Sequence, residues 1–412
     1  MTDEFYRIQR LPPYVFAEVN AMKAAARARG EDIVDLGMGN PDGAPPKHVI
    51  DKLSEVAGKP HAHRYTASRG IPGLRKAQAA YYQRRFGVTL DPDTEVIVTL
   101  GSKEGLANLA QAITAPGDVV LAPNPSYPIH SFGFIIAGAA IRSIPAAPGE
   151  EFFERLTNAM RYTVPRPKVL VIGYPSNPTA YVADLPFYER LVAFAREHEL
   201  IVISDLAYAE IYFGDTPTPS ILQVEGAKDV AVEFTSMSKT YSMAGWRIGF
   251  AVGNERLIAA LGRVKSYLDY GAFTPVQAAA VAAINGPQDI VEYNRNLYRK
   301  RRDVLVECFG RAGWDIPVPQ ASMFAWAPIP ERFHNLGAME FSKRLLTEAH
   351  VAVAPGVGFG ELDADRERLR KPEFGRENCG AVGPRDEHLA LGCAQSPRRR
   401  GSKQLSPSGP RH

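Results

Sequence analysis

Short apolar runs alternate with amphipathic stretches through the middle of the chain. Glu95–Leu100 (EVIVTL) predicts a strand, and Lys103–Thr114 predicts the helix that follows it. Val119–Ala122 and Lys168–Gly173 (KVLVIG) predict two more strands. Pro186–His198 carries helical spacing at Phe187, Leu191, Phe194 and Ala195. Leu200–Ser204 (LIVIS), Val230–Thr235 (VAVEFT) and Ile248–Val252 (IGFAV) complete the series. Near-continuous β-branched runs separated by helices indicate buried strands of a mostly parallel sheet with helices on both faces. The expected fold class is therefore α/β.

Around Ser266 the pattern changes. Pro275–Asn285 predicts an Ala-rich helix, and Asp289–Gly313 a long charged one. Met323–Ala327 and His350–Ala354 predict strands of a second, smaller α+β domain, against which the segment up to about Ile33 packs. The expected division is an N-terminal segment over 1–45, a large domain over 46–285, a small domain over 286–360 and an atypical tail over 361–412. That tail is rich in Arg, Gly, Pro and Ser, with Phe374 its single aromatic residue, and it is expected to be disordered.

The 412 residues are 45% hydrophobic and 23% charged, enough apolar material to enclose a deep, dry site. A net charge of +3 is too small to point to nucleic acid. Cys308, Cys379 and Cys393 fit neither a disulfide framework nor a metal-binding spacing, so a reducing compartment and no metal are expected. Met1–Arg10 has no apolar segment, and no run approaches a membrane span. The expectation is a cytoplasmic enzyme.

Chemistry in such sheets gathers at the carboxyl ends of strands, where loops meet helix N-termini. Four loops carry suitable residues. Gly101–Gly105 (GSKEG) opens a helix whose free N–H groups suit a phosphate, although helix capping explains the same residues. Tyr174–Thr179 (YPSNPT) holds Asn177 between two prolines, as an amide donor or as a turn residue. Ser204–Tyr208 (SDLAY) places Asp205 at the end of a buried strand, where a carboxylate needs a cation, hydrogen bonds or a capping role. Thr235–Lys239 (TSMSK) is followed by Gly245–Gly249 (GWRIG). Desolvation and a nearby cation lower a lysine's pKa, and the neutral amine then attacks an aldehyde; a guanidinium suits a phosphate. Singly each loop has an ordinary explanation. Together they provide an amine, a phosphate cradle, a carboxylate for a ring nitrogen and a donor for a ring oxygen.

On these residues the chain resembles the class I/II aminotransferases of pyridoxal-phosphate fold type I, from about Tyr14 to Gly360. The most specific element is S-x-S-K-x-x-x-x-x-G-W-R-x-G, here Ser236 to Gly249. Asn177–Thr179 and the Asp205/Tyr208 pair support it independently. GMGNPDG (Gly37–Gly43), RYTASRGIPGLR (Arg64–Arg75), SDLAYAEI (Ser204–Ile211) and KSYLDYGAFTPVQ (Lys265–Gln277) are similar to the glutamate–pyruvate branch, near the LL-diaminopimelate aminotransferases.

The resemblance implies roles. Lys239 holds pyridoxal 5'-phosphate as a Schiff base and later moves the substrate proton. Asp205 pairs with the pyridinium nitrogen. Tyr208 and Asn177 hydrogen-bond the ring oxygen, and Tyr127 stacks on the ring. Ser102, Lys103, Ser236, Ser238 and Arg247 hold the phosphate. Tyr65 reaches the phosphate of a neighbouring subunit, which implies a homodimer, and Gly39 and Asn40 line the substrate carboxylate site. The implied reaction moves an amino group from an amino acid to a 2-oxo acid, with alanine, glutamate, pyruvate and 2-oxoglutarate as the expected reactants. A β-lyase or a cyclopropane-forming synthase of the same fold type shares the core motifs and stays open, as does a non-catalytic binding module.

Family members close with a strand carrying an arginine for the substrate α-carboxylate. Here Pro355–Gly360 (PGVGFG) is present, but the V-R-x-A-L pattern and a final helix do not follow. A shift of reading frame near codon 361 would produce such a change. Arg366, Arg368 and Arg370 are the substitutes at hand, and a solvated tail accounts for them equally. The expectation is a small domain short of a strand and a helix, with cofactor binding kept and transfer weakened.

Overall fold

The structure is a computed structural model, and it describes residues 5–12, 16–360 and 388–392. The seven-stranded sheet is built from β2 (Val96–Thr99), β3 (Val119–Asn124), β4 (Ala140–Pro145), β5 (Val169–Ile172), β6 (Ile201–Asp205), β7 (Ala231–Ser236) and β8 (Gly249–Gly253). Their order is β2-β8-β7-β6-β5-β3-β4, parallel except for β8, which runs against both neighbours. Strand residues alternate between two apolar layers. Leu170, Ile172, Val202, Phe250 and Val252 join one, and Val169, Val171, Ile203, Phe234 and Ala251 join the other. Burial on both faces explains why these strands read as continuous apolar runs. The edge strand β4 escapes that reading because half of its positions are exposed, with Arg142 and Ser143 at its centre.

Reversal of β8 fixes the site. β2, β3, β5, β6 and β7 all end at one edge of the sheet, and β8 begins there, with Gly249 opposite both Ser236 and Thr99. Residues just before β8 therefore join the loops that follow the other strands.

A three-stranded sheet, β11 (Ala354–Pro355), β12 (His388–Gly392) and β9 (Phe324–Pro328), lies beside the helix Gly337–Ala349. The run expected as one strand over His350–Ala354 divides at Val353, so that β10 (Val351–Ala352) pairs in parallel with β1 (Val34–Asp35). The helix Phe16–Ala28 contacts Gly337–Ala349, with Glu18 2.7 Å from Lys343.

One expectation is corrected. The smaller sheet does not lack a strand, because β12 pairs antiparallel with both β9 and β11. HLALG is a short apolar run among polar residues, and sequence periodicity does not mark it. Backbone pairing on two sides needs little from the side chains. The disordered-tail expectation for 361–387 and 393–412, with Arg366, Arg368 and Arg370, lies outside the described residues. Among those described, no helix is long and apolar enough to cross a membrane.

Candidate active site

At the carboxyl edge the loops enclose a cavity of about 340 Å³, within the usual range for small-molecule sites. Ser102, Lys103, Tyr127, Asn177, Asp205, Tyr208, Ser236, Ser238, Lys239 and Arg247 all line it, with Gly39 and Asn40. Tyr65 does not. It is 86% exposed, its ring 4.6 Å from that of Tyr270.

Lys239 sits in a single turn of helix, Met237–Thr240, directly after β7. Its ammonium donates to the Gly39 carbonyl at 2.7 Å. Desolvation, and then the Arg247 charge, bring its pKa down to about 8. A useful fraction of the amine is neutral near physiological pH, which nucleophilic attack requires.

The loop before β8 meets the helix Ser102–Ile113 at its N-terminus. Gly101 has φ +84°, and the Arg247 guanidinium lies where its side chain would be. Gly249 is similarly tight, since a Cβ there would lie 2.6 Å from the Ser102 nitrogen. These absent side chains bring a helix N-terminus and a guanidinium together, and both favour an anion. Ser236 Oγ accepts from the Ser238 N–H at 3.2 Å, which fixes the start of the Lys239 turn. Glu104 is no simple cap. It accepts from the Leu100 N–H at 2.8 Å and from the buried Lys265 at 3.0 Å, and Lys265 also reaches Asp269 at 2.8 Å.

Asp205 ends β6. One oxygen accepts from the Ala207 N–H at 3.2 Å, and the other lies 3.0 Å from Nε2 of His130. The sequence reading does not single out His130. It follows β3 on the helix Ile129–Ala137, and Gly173 leaves its ring room, since a Cβ there would lie 2.9 Å from the imidazole. Only assembly of β3, β5 and β6 brings the three together. Burial, with the nearby Tyr127 and Asp205, raises the Tyr208 pKa well above its ordinary value, while the Asn177 amide beside it pulls the other way. Asn177 Oδ1 and His130 Nδ1 are buried with no hydrogen-bond partner among the described residues. Buried polar atoms are usually paired, and these two, in the cavity, are available to a bound group.

A family model, aminotransferase class I and II, matches residues 31–389. The chain belongs to that family. The match passes Gly360 and runs into β12. A protein of Rhizobium meliloti named as an aminotransferase, AatC, is 64% identical over 89% of this chain and 91% of its own length. The glutamate-pyruvate aminotransferase AlaC of Escherichia coli is 53% identical, again over 89% of this chain and 91% of its own. Among solved structures, substrate-bound BacF from Bacillus subtilis superposes with a TM-score of 0.83, at 33% identity over 96% of this chain and 94% of that one. The protein is thus a class I/II aminotransferase, an enzyme that uses pyridoxal phosphate and acts on amino acids and 2-oxo acids. The cavity suits that cofactor: it offers an amine of lowered pKa, an anion cradle, a strand-end carboxylate and unsatisfied polar atoms.

Proposed function

We propose that this aminotransferase exchanges amino groups between alanine or glutamate and the corresponding oxo acids, with Lys239 as the residue that carries the cofactor. The observation behind the reading is the Lys239 amine, of pKa about 8, in one cavity with Asp205, Asn177, Tyr208 and the Gly101–Arg247 cradle. AlaC, a glutamate–pyruvate enzyme, supports the substrate choice.

When bound, pyridoxal phosphate supplies an electron-withdrawing ring and an aldehyde. The protein's share is positioning and proton transfer. The Ser102 helix start, Lys103, Ser236, Ser238 and Arg247 would hold the phosphate. Asp205, steadied by His130 and the Ala207 N–H, would hold the ring nitrogen. Tyr208 and Asn177 would hold the ring oxygen, and Tyr127 would cover the ring. Lys239 would hold the cofactor through its neutral amine, and the same amine would take up and return the proton at the substrate α-carbon. Gly39 and Asn40 border the substrate carboxylate.

We also propose a cytoplasmic homodimer, with the large and small domains divided near residue 285. Tyr65, Tyr267, Leu268, Tyr270 and Phe273 are all exposed, with Tyr65 against Tyr270 and Phe273 5.7 Å from His63. Apolar exposure on this scale marks an interface, and it supports Tyr65 serving a neighbouring subunit's site.

A second reading, cofactor binding with weakened transfer, rests on β12, whose sequence HLALG contains no arginine. Borohydride reduction of the loaded protein followed by peptide mass mapping tests the first part; a label anywhere but Lys239 rejects it. Incubation with glutamate and pyruvate tests the second. One alanine per 2-oxoglutarate with no ammonia supports transfer, and ammonia release points to a lyase. Cofactor capture without alanine supports the weakened enzyme.

A further inference from the structure

The helix Phe16–Ala28 sets two cations on one carboxylate. Lys23 Nζ lies 2.8 Å from Asp35 Oδ2, and Arg27 Nη2 lies 3.0 Å from the same atom. Asp35 and Lys23 are both buried, and Lys23 also lines the cavity. Burial pushes the Asp35 carboxyl up, but the hydrogen bond and charge of Lys23, with the Gly37 N–H and Arg27, together outweigh it and hold the group below its ordinary value. The free oxygen, Oδ1, accepts the Gly37 N–H at 3.1 Å. Two residues on, the Gly39 carbonyl receives the Lys239 ammonium.

The intervening segment is clamped on its other sides. A Cβ at Gly37 would lie 3.4 Å from the Val353 carbonyl carbon, and the Phe324 ring occupies the place of one at Gly39. Asp42, just beyond, is gripped by both Arg301 nitrogens at 2.9 and 2.8 Å. An ion pair that only joined a helix to a strand would not need its second oxygen on the loop leading to the amine.

We propose that Asp35, anchored by Lys23 and Arg27, is a positioning residue that holds the Gly37–Gly39 main chain so that the Gly39 carbonyl stays on the Lys239 amine and tunes its proton affinity. The proposal rests on Lys239 being the residue that carries the cofactor. A carbonyl that accepts from the ammonium favours the charged form and opposes desolvation and Arg247. Loosening the segment therefore lowers the Lys239 pKa further. The other ionisable groups facing the cavity are Lys103 from the helix after β2, Tyr127 and His130 after β3, Asp205 and Tyr208 after β6, and Arg247 before β8.

Lys23→Met gives the test its sign. Removing a cation that lines the same cavity raises the Lys239 pKa or leaves it unchanged if charge alone matters. Releasing the anchor lowers it. The full chain is stripped of cofactor, and its rate of recapturing pyridoxal phosphate is followed by absorbance across pH, because the rate tracks the neutral amine. Since a hydrogen bond to a charged group is worth roughly one pKa unit or more, the midpoint is expected to fall by about half a unit to one unit in Lys23→Met. Asp35→Asn, which frees both cations, is expected to lower it at least as far, with the fall persisting at high salt. A rise or an unchanged midpoint in folded Lys23→Met overturns the proposal, as does a fall in Asp35→Asn that salt abolishes. If the unaltered chain captures no cofactor on Lys239, it is the cofactor reading that fails.

Discussion

Gly101 is where one added methyl group tests the phosphate cradle. Its φ of +84° is left-handed, and an alanine Cβ there would lie 2.9 Å from Arg247 Cζ and closer still to Nη2. The backbone cost alone is about 1–3 kcal/mol. The guanidinium must also withdraw from the start of the helix Ser102–Ile113. A lost charge-assisted hydrogen bond is worth about 1.5–3 kcal/mol, which corresponds to a roughly ten- to hundredfold weaker Kd for pyridoxal phosphate. Gly87→Ala is the control, because Gly87 also has a left-handed φ of +69° but nothing within 4 Å of an added Cβ. Both variants should lose stability in thermal melts, Gly101→Ala the more, because its ψ of 154° lies where essentially only glycine is found whereas Gly87, at ψ 13°, is in the left-handed helical region. Only Gly101→Ala should weaken the cofactor in an absorbance titration. Equal cofactor affinity in the two variants would refute the argument that Arg247, packed against that glycine, holds the phosphate.

Three further outcomes follow from the same geometry. Lys239 has a folded pKa of about 8 against an ordinary 10.5, so the unfolded chain binds more protons between those values and the group's contribution to stability rises with pH there; the melting-temperature advantage of cofactor-free Lys239→Met should shrink across that window, and a constant gap would contradict the shift. Lys265 is fully buried between Glu104 and Asp269; Lys265→Met should cost about 3 kcal/mol in denaturant unfolding, since removing one partner strands the others, and a loss below about 1 kcal/mol would show that solvent already satisfies both acids. Mixing Lys239→Ala with Tyr65→Ala subunits should restore part of the transfer activity that each lacks alone, because a hybrid dimer has one intact site; no recovery in a verified hybrid would place Tyr65 outside the partner's site.

Most of the sheet is legible in the sequence, because strands buried on both faces read as near-continuous apolar runs: KVLVIG and LIVIS can hardly lie elsewhere. So are many residues of the cavity, since strand-end loops attract chemistry and the S-x-S-K…G-W-R-x-G spacing is specific. Three things needed the tertiary structure. His130 lies far from Asp205 along the chain, and only side-by-side packing of β3, β5 and β6 joins them, with Gly173 as the space between. Arg247 precedes its strand, and only the reversal of β8 turns it to the edge where the other loops end. β12 is held by backbone hydrogen bonds to two neighbours, a stabilisation that depends on what lies alongside rather than on side-chain pattern. Periodicity records how each segment meets solvent and core. Partners distant in sequence are chosen by topology, and that choice leaves no local mark.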